Sequence, residues 1–131
     1  MNYGARVFRP VIDDDPSVRE LLCAMLIEDG YDVAEAADGN AGMKLFRKRP
    51  ADLVITDLIM PEKEGIETIL ELRRHFPGVK IIAMGGGGIV EAGDYLGMAR
   101  GVGAHRVFEK PFGVSEMLNG VRELLNLSQI S

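Results

Sequence analysis

A chain of 131 residues is long enough for one domain, and its 47% hydrophobic content suffices for a single two- or three-layer core. Fifteen Lys and Arg against twenty Asp and Glu leave a formal net charge of -5, so no global positive field draws nucleic acid or anionic lipid, and direct DNA binding is disfavoured. No run approaches the roughly 20 apolar residues of a membrane span, residues 1–6 lack the apolar stretch of a secretory signal, and a cytoplasmic protein is expected.

Short apolar runs alternate with longer stretches of 3.6-residue periodicity, the pattern of βαβ units on a parallel sheet. The first strand is expected over residues 6–12. Its helix has Pro16 in the first turn, Asp14 or Asp15 as N-cap, an apolar stripe of Val18, Leu21, Leu22, Met25 and Leu26, and Gly30 as terminator. The second strand is expected at Asp32–Ala36, followed by a helix capped by Asp38 that runs to about Lys48. That helix buries Ala41, Leu45 and either Met43 or Phe46.

Leu53–Asp57 is apolar on consecutive positions, as a strand covered on both faces requires. A third helix follows Gly65, with Ile66, Ile69, Leu70 and either Leu72 or Arg73 inward, and Pro77-Gly78 stops it. The fourth strand is expected over 79–84 and the fifth over 104–108. The last helix, over 114–127, carries Val114, Met117, Leu118, Val121, Leu124 and Leu125.

Two segments strain this scheme. Pro10 lies inside the first strand, where it deletes a ladder donor, so that strand should be shortened or locally irregular. Gly85 to Gly88 precede a segment in which Gly93, Gly97 and Gly101 recur every fourth position, which makes the fourth helix the least stable. The glycine run lacks the Lys-Ser/Thr of a nucleotide phosphate loop and is read as a flexible segment, with an anion-binding concavity of backbone amides as the weaker reading. Cys23 has no disulfide partner and no Cys or His at ligand spacing, so it is read as a packing or surface residue and not a reactive thiol; His75 and His105 are read as structural.

The acids at the strand ends carry the chemistry. Asp13 and Asp14 follow the first strand, Asp57 ends the third, and Lys110 follows the fifth. In a parallel sheet these ends form one crevice, where ligands of open α/β sheets bind. Each like-charged pair at ~4 Å costs on the order of 4 kcal/mol at an effective dielectric of about 20, so such a cluster needs a cation. Oxygen ligands without His or thiolate select Mg²⁺, Mn²⁺ or Ca²⁺, and Lys110 adds a fixed positive charge opposite. A divalent ion, a lysine and a carboxylate suit the receipt of a phosphoryl group. Taken singly, Asp13-Asp14-Asp15 is a helix cap and Asp57 a turn residue; their joint placement argues for a site.

Val11-Ile12-Asp13-Asp14-Asp15-Pro16, Asp57-Leu58-Ile59-Met60-Pro61 with Gly65, and Lys110-Pro111-Phe112 stand in the order and at the spacing of the receiver domain of bacterial two-component response regulators, which this chain resembles over about residues 5–127. The resemblance implies one domain over 1–131, of the single-domain, chemotaxis-receiver-like kind. Its fold would be a doubly wound, flavodoxin-like three-layer α/β sandwich on a five-stranded parallel sheet of order 2-1-3-4-5. Asp57 would accept a phosphoryl group from a histidine kinase, a phosphotransfer protein or a small acyl phosphate. Asp14, Asp57 and the backbone carbonyl of Ile59 would ligate Mg²⁺ (or Mn²⁺), with Asp13 acting through water and Lys110 pairing with the phosphoryl oxygens. Partners or a second protomer would dock on the face of the fourth helix, fifth strand and fifth helix. With no DNA-binding or enzymatic domain in these 131 residues, output is expected to pass to a partner in trans unless the chain is a fragment of a longer protein.

Two positions depart from the family pattern: Gly85 replaces the Ser or Thr that ends strand four, and Val107 the aromatic residue three positions before the lysine. Both halves of the usual coupling between phosphoryl group and docking face are therefore absent. A receiver-like scaffold that binds without phosphorylation is the second reading. The third, an aspartyl-nucleophile phosphatase of haloacid-dehalogenase type suggested by Asp13-Asp14-Asp15-Pro16-Ser17-Val18, needs a larger chain.

Overall fold

The computed structural model describes residues 8–12, 15–58, 65–86 and 100–130. They form a parallel sheet of five strands in the order β2-β1-β3-β4-β5: β1 Phe8–Ile12, β2 Asp32–Ala36, β3 Leu53–Asp57, β4 Lys80–Gly86 and β5 Arg106–Lys110. Helices α1 (Pro16–Glu28), α2 (Gly39–Lys48), α3 (Gly65–His75) and a C-terminal helix (Val114–Ile130) pack on it. A helical turn at 100–102 leads into β5; the expectation of a weak helix over 89–99 lies outside the described residues.

Successive strand residues point to opposite faces, and both faces are covered. Ile12, Val54, Ile81 and Ala83 face α2 and α3, where Met43, Phe46, Ile69 and Leu72 close the layer. Val11, Leu53, Ile55, Ile82 and Met84 face α1 and the C-terminal helix, meeting Leu22, Leu26, Met117 and Val121. All five residues of β3 are buried, as its unbroken apolar run requires.

The helix signals act as written. Asp15 caps α1 by accepting from Ser17 N–H at 2.9 Å, with Pro16 in the first turn. Gly30 adopts φ +95°, a left-handed conformation open to glycine at no steric cost, just past the end of α1. Asp38 accepts from Ala41 N–H at 2.8 Å to start α2. Pro10 has its expected effect on one side: β1 pairs with β2 along its whole length, but with β3 only at Val11 and Ile12, beyond the proline.

Several expectations need correction. On α1 the inward residue is Cys23 and not Leu21, which is 48% exposed. On α2, Gly39, Gly42, Met43 and Phe46 are buried, while Ala41 and Leu45 only flank that cluster. The shift follows from Gly42, where a Cβ would lie 2.3 Å from Ile12 Cδ1, so α2 rests on the sheet along its glycine side. On α3, Thr68 takes the inward place given to Leu70, and on the C-terminal helix Val114 is exposed.

β4 continues through Gly85 and Gly86, so half the glycine run is strand and not loop. β5 begins two residues later than expected, because His105 still belongs to the connection. Its N–H donates to Ile81 C=O at 2.8 Å and its ring Nδ1 accepts from Ile81 N–H at 3.1 Å, so the imidazole supplies the acceptor that a strand carbonyl would. Cys23 is packed in the core, and burial followed by the charge of Glu35 pushes its thiol up to about 11, where no reactive thiolate forms at neutral pH.

Candidate functional site

Asp57 ends β3, the central strand, and is 6% exposed. Its Oδ1 accepts from Leu58 N–H at 2.9 Å, and its Oδ2 lies 3.3 Å from Lys110 Nζ. Lys110 stands at the end of β5, two strands away, so its side chain crosses β4 to reach the carboxylate. It does so where Gly85 pairs with Glu109 and Gly86 with Lys110, and two glycines put no side chain in its path. The peptide bond joining Lys110 to Pro111 is cis.

Leu58, the residue after Asp57, is held from both sides. Leu58 N–H also donates to Met84 C=O at 2.9 Å, and Leu58 C=O accepts from Gly65 N–H at 2.9 Å. Only glycine fits at the start of α3: a Cβ on Gly65 would lie 2.1 Å from Asp57 O and 2.6 Å from Leu58 Cα. Thr56, fully buried, donates its hydroxyl to Asp57 C=O at 3.1 Å. These contacts hold the backbone of Asp57 and Leu58, and the carboxylate faces the ammonium group of Lys110.

Of the residues expected at the site, the structure brings Asp57 and Lys110 together. Asp13, Asp14 and Ile59 lie outside the described residues; β1 ends at Ile12 opposite Thr56, one residue short of the level of Asp57. Gly85 is buried in β4. Val107 faces the α2/α3 side, whereas Phe108 faces α1 and the C-terminal helix, its ring 3.0 Å from where a Cβ of Gly120 would stand. The aromatic residue of β5 thus sits one position late and, by the strand period, on the opposite side of the sheet.

Sequence reasoning missed the Leu58 amide as a partner of the carboxylate and the steric reason for Gly65. A lone glycine eight residues after a strand-end acid is the signal for a close approach, and nothing in the sequence marks an amide. Among the described residues no three His, Cys, Asp or Glu side chains cluster. No described helix is long and apolar enough to cross a membrane.

Comparison with known proteins agrees with this architecture. The family model of the response regulator receiver domain matches residues 10–122. The DNA-binding dual master transcriptional regulator RpaA of Synechocystis is 35% identical over 120 residues, covering 88% of this chain and 47% of that protein. The sporulation initiation phosphotransferase F of Bacillus subtilis is 28% identical over 117 residues, covering 89% of this chain and 92% of that protein. A response regulator receiver domain protein from Clostridium thermocellum superposes with a TM-score of 0.86 at 25% identity, over 95% of this chain and 98% of that one. The chain spans about half the length of RpaA and of the probable transcriptional regulatory protein TcrX of Mycobacterium tuberculosis. With its β2-β1-β3-β4-β5 sheet and the match over 10–122, the chain belongs to the response regulator receiver domain family.

Proposed function

We propose that this chain is one receiver domain that accepts a phosphoryl group on Asp57 in a phosphorelay and passes the signal to a partner protein in trans. The observation that carries the proposal is a buried carboxylate at the end of the central strand with Lys110 Nζ 3.3 Å from Oδ2. Removing such a charge from water is costly, and a buried carboxylate held beside a lysine at the carboxyl end of a central parallel strand is suited to a charged reactant. An Asp57 oxygen attacks phosphorus, the phosphorus–nitrogen bond of a phosphohistidine breaks, and an acyl phosphate forms. Lys110 then offsets the charge on the phosphoryl oxygens, and the Leu58 amide holds the carboxylate for attack.

The donor chemistry fits a hard divalent cation. Asp57 offers oxygen, the two residues after Ile12 are both aspartates, and Cys23, His75 and His105 lie on other elements. Asp14, Asp57 and the Ile59 carbonyl would hold Mg²⁺, with Asp13 through water, and the ion would supply charge neutralisation for the phosphoryl group. The donor is a histidine kinase or phosphotransfer protein, and the chain is a signalling domain, not a turnover enzyme. Intact mass after incubation with acetyl phosphate and Mg²⁺ tests this. A phosphoryl adduct is expected in the parent and none in Asp57→Asn; an unmodified parent would overturn the proposal.

A second reading, a scaffold that binds without phosphorylation, draws on Gly85 and Val107. No hydroxyl stands at the end of β4, and the aromatic ring of β5 is on the far face. It predicts the same partner affinity in Asp57→Asn as in the parent, whereas a working switch predicts a difference.

A further inference from the structure

Helices α2 and α3 lie side by side on one face of the sheet, joined by an Arg47–Glu71 ion pair. Each follows the carboxyl end of a parallel strand, so the two run in the same direction. Both turn an open depression to solvent, mainly apolar on α2 and mixed on α3, where Leu70 is its apolar residue. On α2 an open groove of about 560 Å³ is lined by Glu35, Ala41, Lys44, Leu45 and Lys48. On α3 a smaller depression of about 310 Å³ is lined by Glu67, Leu70, Glu71, Arg74 and His75, with Leu70 46% exposed. Lys44, Lys48 and Glu67 are exposed and, among the described residues, in no ion pair.

The order of charge along the two helices decides what fits. The α2 groove is negative at its amino end, where Glu35 stands beside the first turn, and positive at Lys44 and Lys48. The α3 surface is negative at Glu67 and positive at Arg74, again from amino to carboxyl end. Laid parallel, α2 on α3 sets Glu35 against Glu67 and Lys48 against Arg74. Laid antiparallel, Lys48 meets Glu67, Glu35 meets Arg74, and Leu70 falls on Ala41 and Leu45. Glu35 already pairs with Arg19 at 3.2 Å, so the lysines and Glu67 carry the discrimination. A two-fold axis perpendicular to the helices produces the antiparallel match twice in one interface.

We propose that the α2–α3 face is a self-association surface on which a second copy of this chain docks antiparallel, each Leu70 entering the groove between Ala41 and Leu45 of the other. The apolar contact supplies adhesion; the charges set direction and exclude the parallel arrangement. The surface lies apart from Asp57 and does not depend on its phosphorylation.

Sedimentation velocity of the full chain at low ionic strength tests the proposal, because Lys44, Lys48, Glu67 and Leu70 are all exposed in the monomer and their substitution leaves the core untouched. The parent and Asp57→Asn should both show a concentration-dependent dimer. Lys44→Glu with Lys48→Glu should weaken it by about tenfold or more, as like charges then face each other. Adding Glu67→Lys to that double variant should restore association, and Leu70→Asp should abolish it. A parent that stays monomeric at every concentration overturns the proposal. So does a dimer unchanged by the double charge reversal or by Leu70→Asp, or one lost in Asp57→Asn.

Discussion

The two faces of the sheet are filled by different means. The face toward α1 and the C-terminal helix is packed with long side chains, Leu22, Leu26, Ile55, Ile82, Met84 and Met117. The face toward α2 and α3 has comparable bulk in Ile12, Met43, Phe46, Ile69, Leu72 and Ile81 but adds close approach: Gly42 against Ile12, Gly65 against the backbone of Asp57, and Gly103, at φ +126°, against Arg73. Bulk resists deletion poorly, and close approach resists addition poorly. Asp57 is anchored on the side that adds close approach, where a Cβ on the first residue of α3 would meet its backbone.

Phe46 is the bulkiest side chain buried on the face toward α2 and α3, and removing it should have the largest effect. Phe46 is 2% exposed and its ring stands edge-on to Phe76 at 4.6 Å. Phe46→Ala should cost about 4 kcal/mol, measured by urea denaturation, against about 3 kcal/mol for Met117→Ala on the other side. Equal losses would mean that the two layers differ less than their composition says.

Addition should separate the faces more sharply. Gly65→Ala sets a methyl 2.1 Å from a backbone oxygen that cannot yield, and should cost about 3 kcal/mol together with phosphoryl acceptance at Asp57. Gly120→Ala meets only the ring edge of Phe108 at 3.0 Å and should cost about 1 kcal/mol or less. If the two substitutions prove equally harmful, close approach at Gly65 is not what fixes Asp57.

The next effect concerns signalling across the α2/α3 side. A hydroxyl hydrogen-bonded to a charged group is worth roughly 1.5 to 3 kcal/mol, about ten- to a hundredfold in a conformational equilibrium. Gly85→Thr combined with Val107→Tyr should therefore enlarge the set of amides whose hydrogen exchange changes on treatment with acetyl phosphate. An unchanged set would show that the parent couples phosphorylation to its surface by another route.

Much of this was legible beforehand because strand and helix periods are local. The five strands, the caps at Asp15 and Asp38, the stop at Gly30 and the consecutive burial of β3 follow from neighbours in sequence. What failed was longer in range. Leu21 and Leu70 look like core residues by spacing, but Cys23 and Thr68 hold those places, and on α2 the close approach of Gly42 to Ile12 turns the buried side away from Ala41 and Leu45; how a helix is rotated on the sheet is set by contacts distant in sequence. The start of β5 was misplaced because a histidine ring imitates a carbonyl, which no pattern of apolar residues encodes. At the site, the pairing of Asp57 with Lys110 was readable from strand ends; the amide of Leu58 was not.

That histidine ring gives a pH test of the connection on the α2/α3 side. Burial first, then the charges of Lys80 and Arg73, hold His105 below its ordinary value of 6.5. The unfolded chain therefore binds more protons than the folded one as the pH falls below 6.5. The contribution is fully present above that value and is lost as the pH drops through the folded value. The protonated Nδ1 can no longer accept the Ile81 N–H. Urea midpoints should fall more between about pH 7.5 and about pH 5 in the parent than in His105→Leu, and parallel curves would remove His105 from the account.

The smallest expected effect distinguishes the outer rims of the two faces. Arg122, on the C-terminal helix, grips Asp29 at the end of α1 with two hydrogen bonds, 3.1 and 2.7 Å, whereas Arg47 of α2 meets Glu71 of α3 through one nitrogen. Both pairs are exposed, so water and salt take back most of their attraction. A two-pronged guanidinium holds its carboxylate in one geometry with less further loss of freedom. Arg122→Ala should lower the urea midpoint slightly more than Arg47→Ala at low ionic strength, and at about 1 M salt the difference should vanish, because the screening length there is only about 3 Å. A difference that survives the salt would have to come from the packing of the Arg122 stem against the helices, placing it with the bulk that fills its face and not with the charges at its rim.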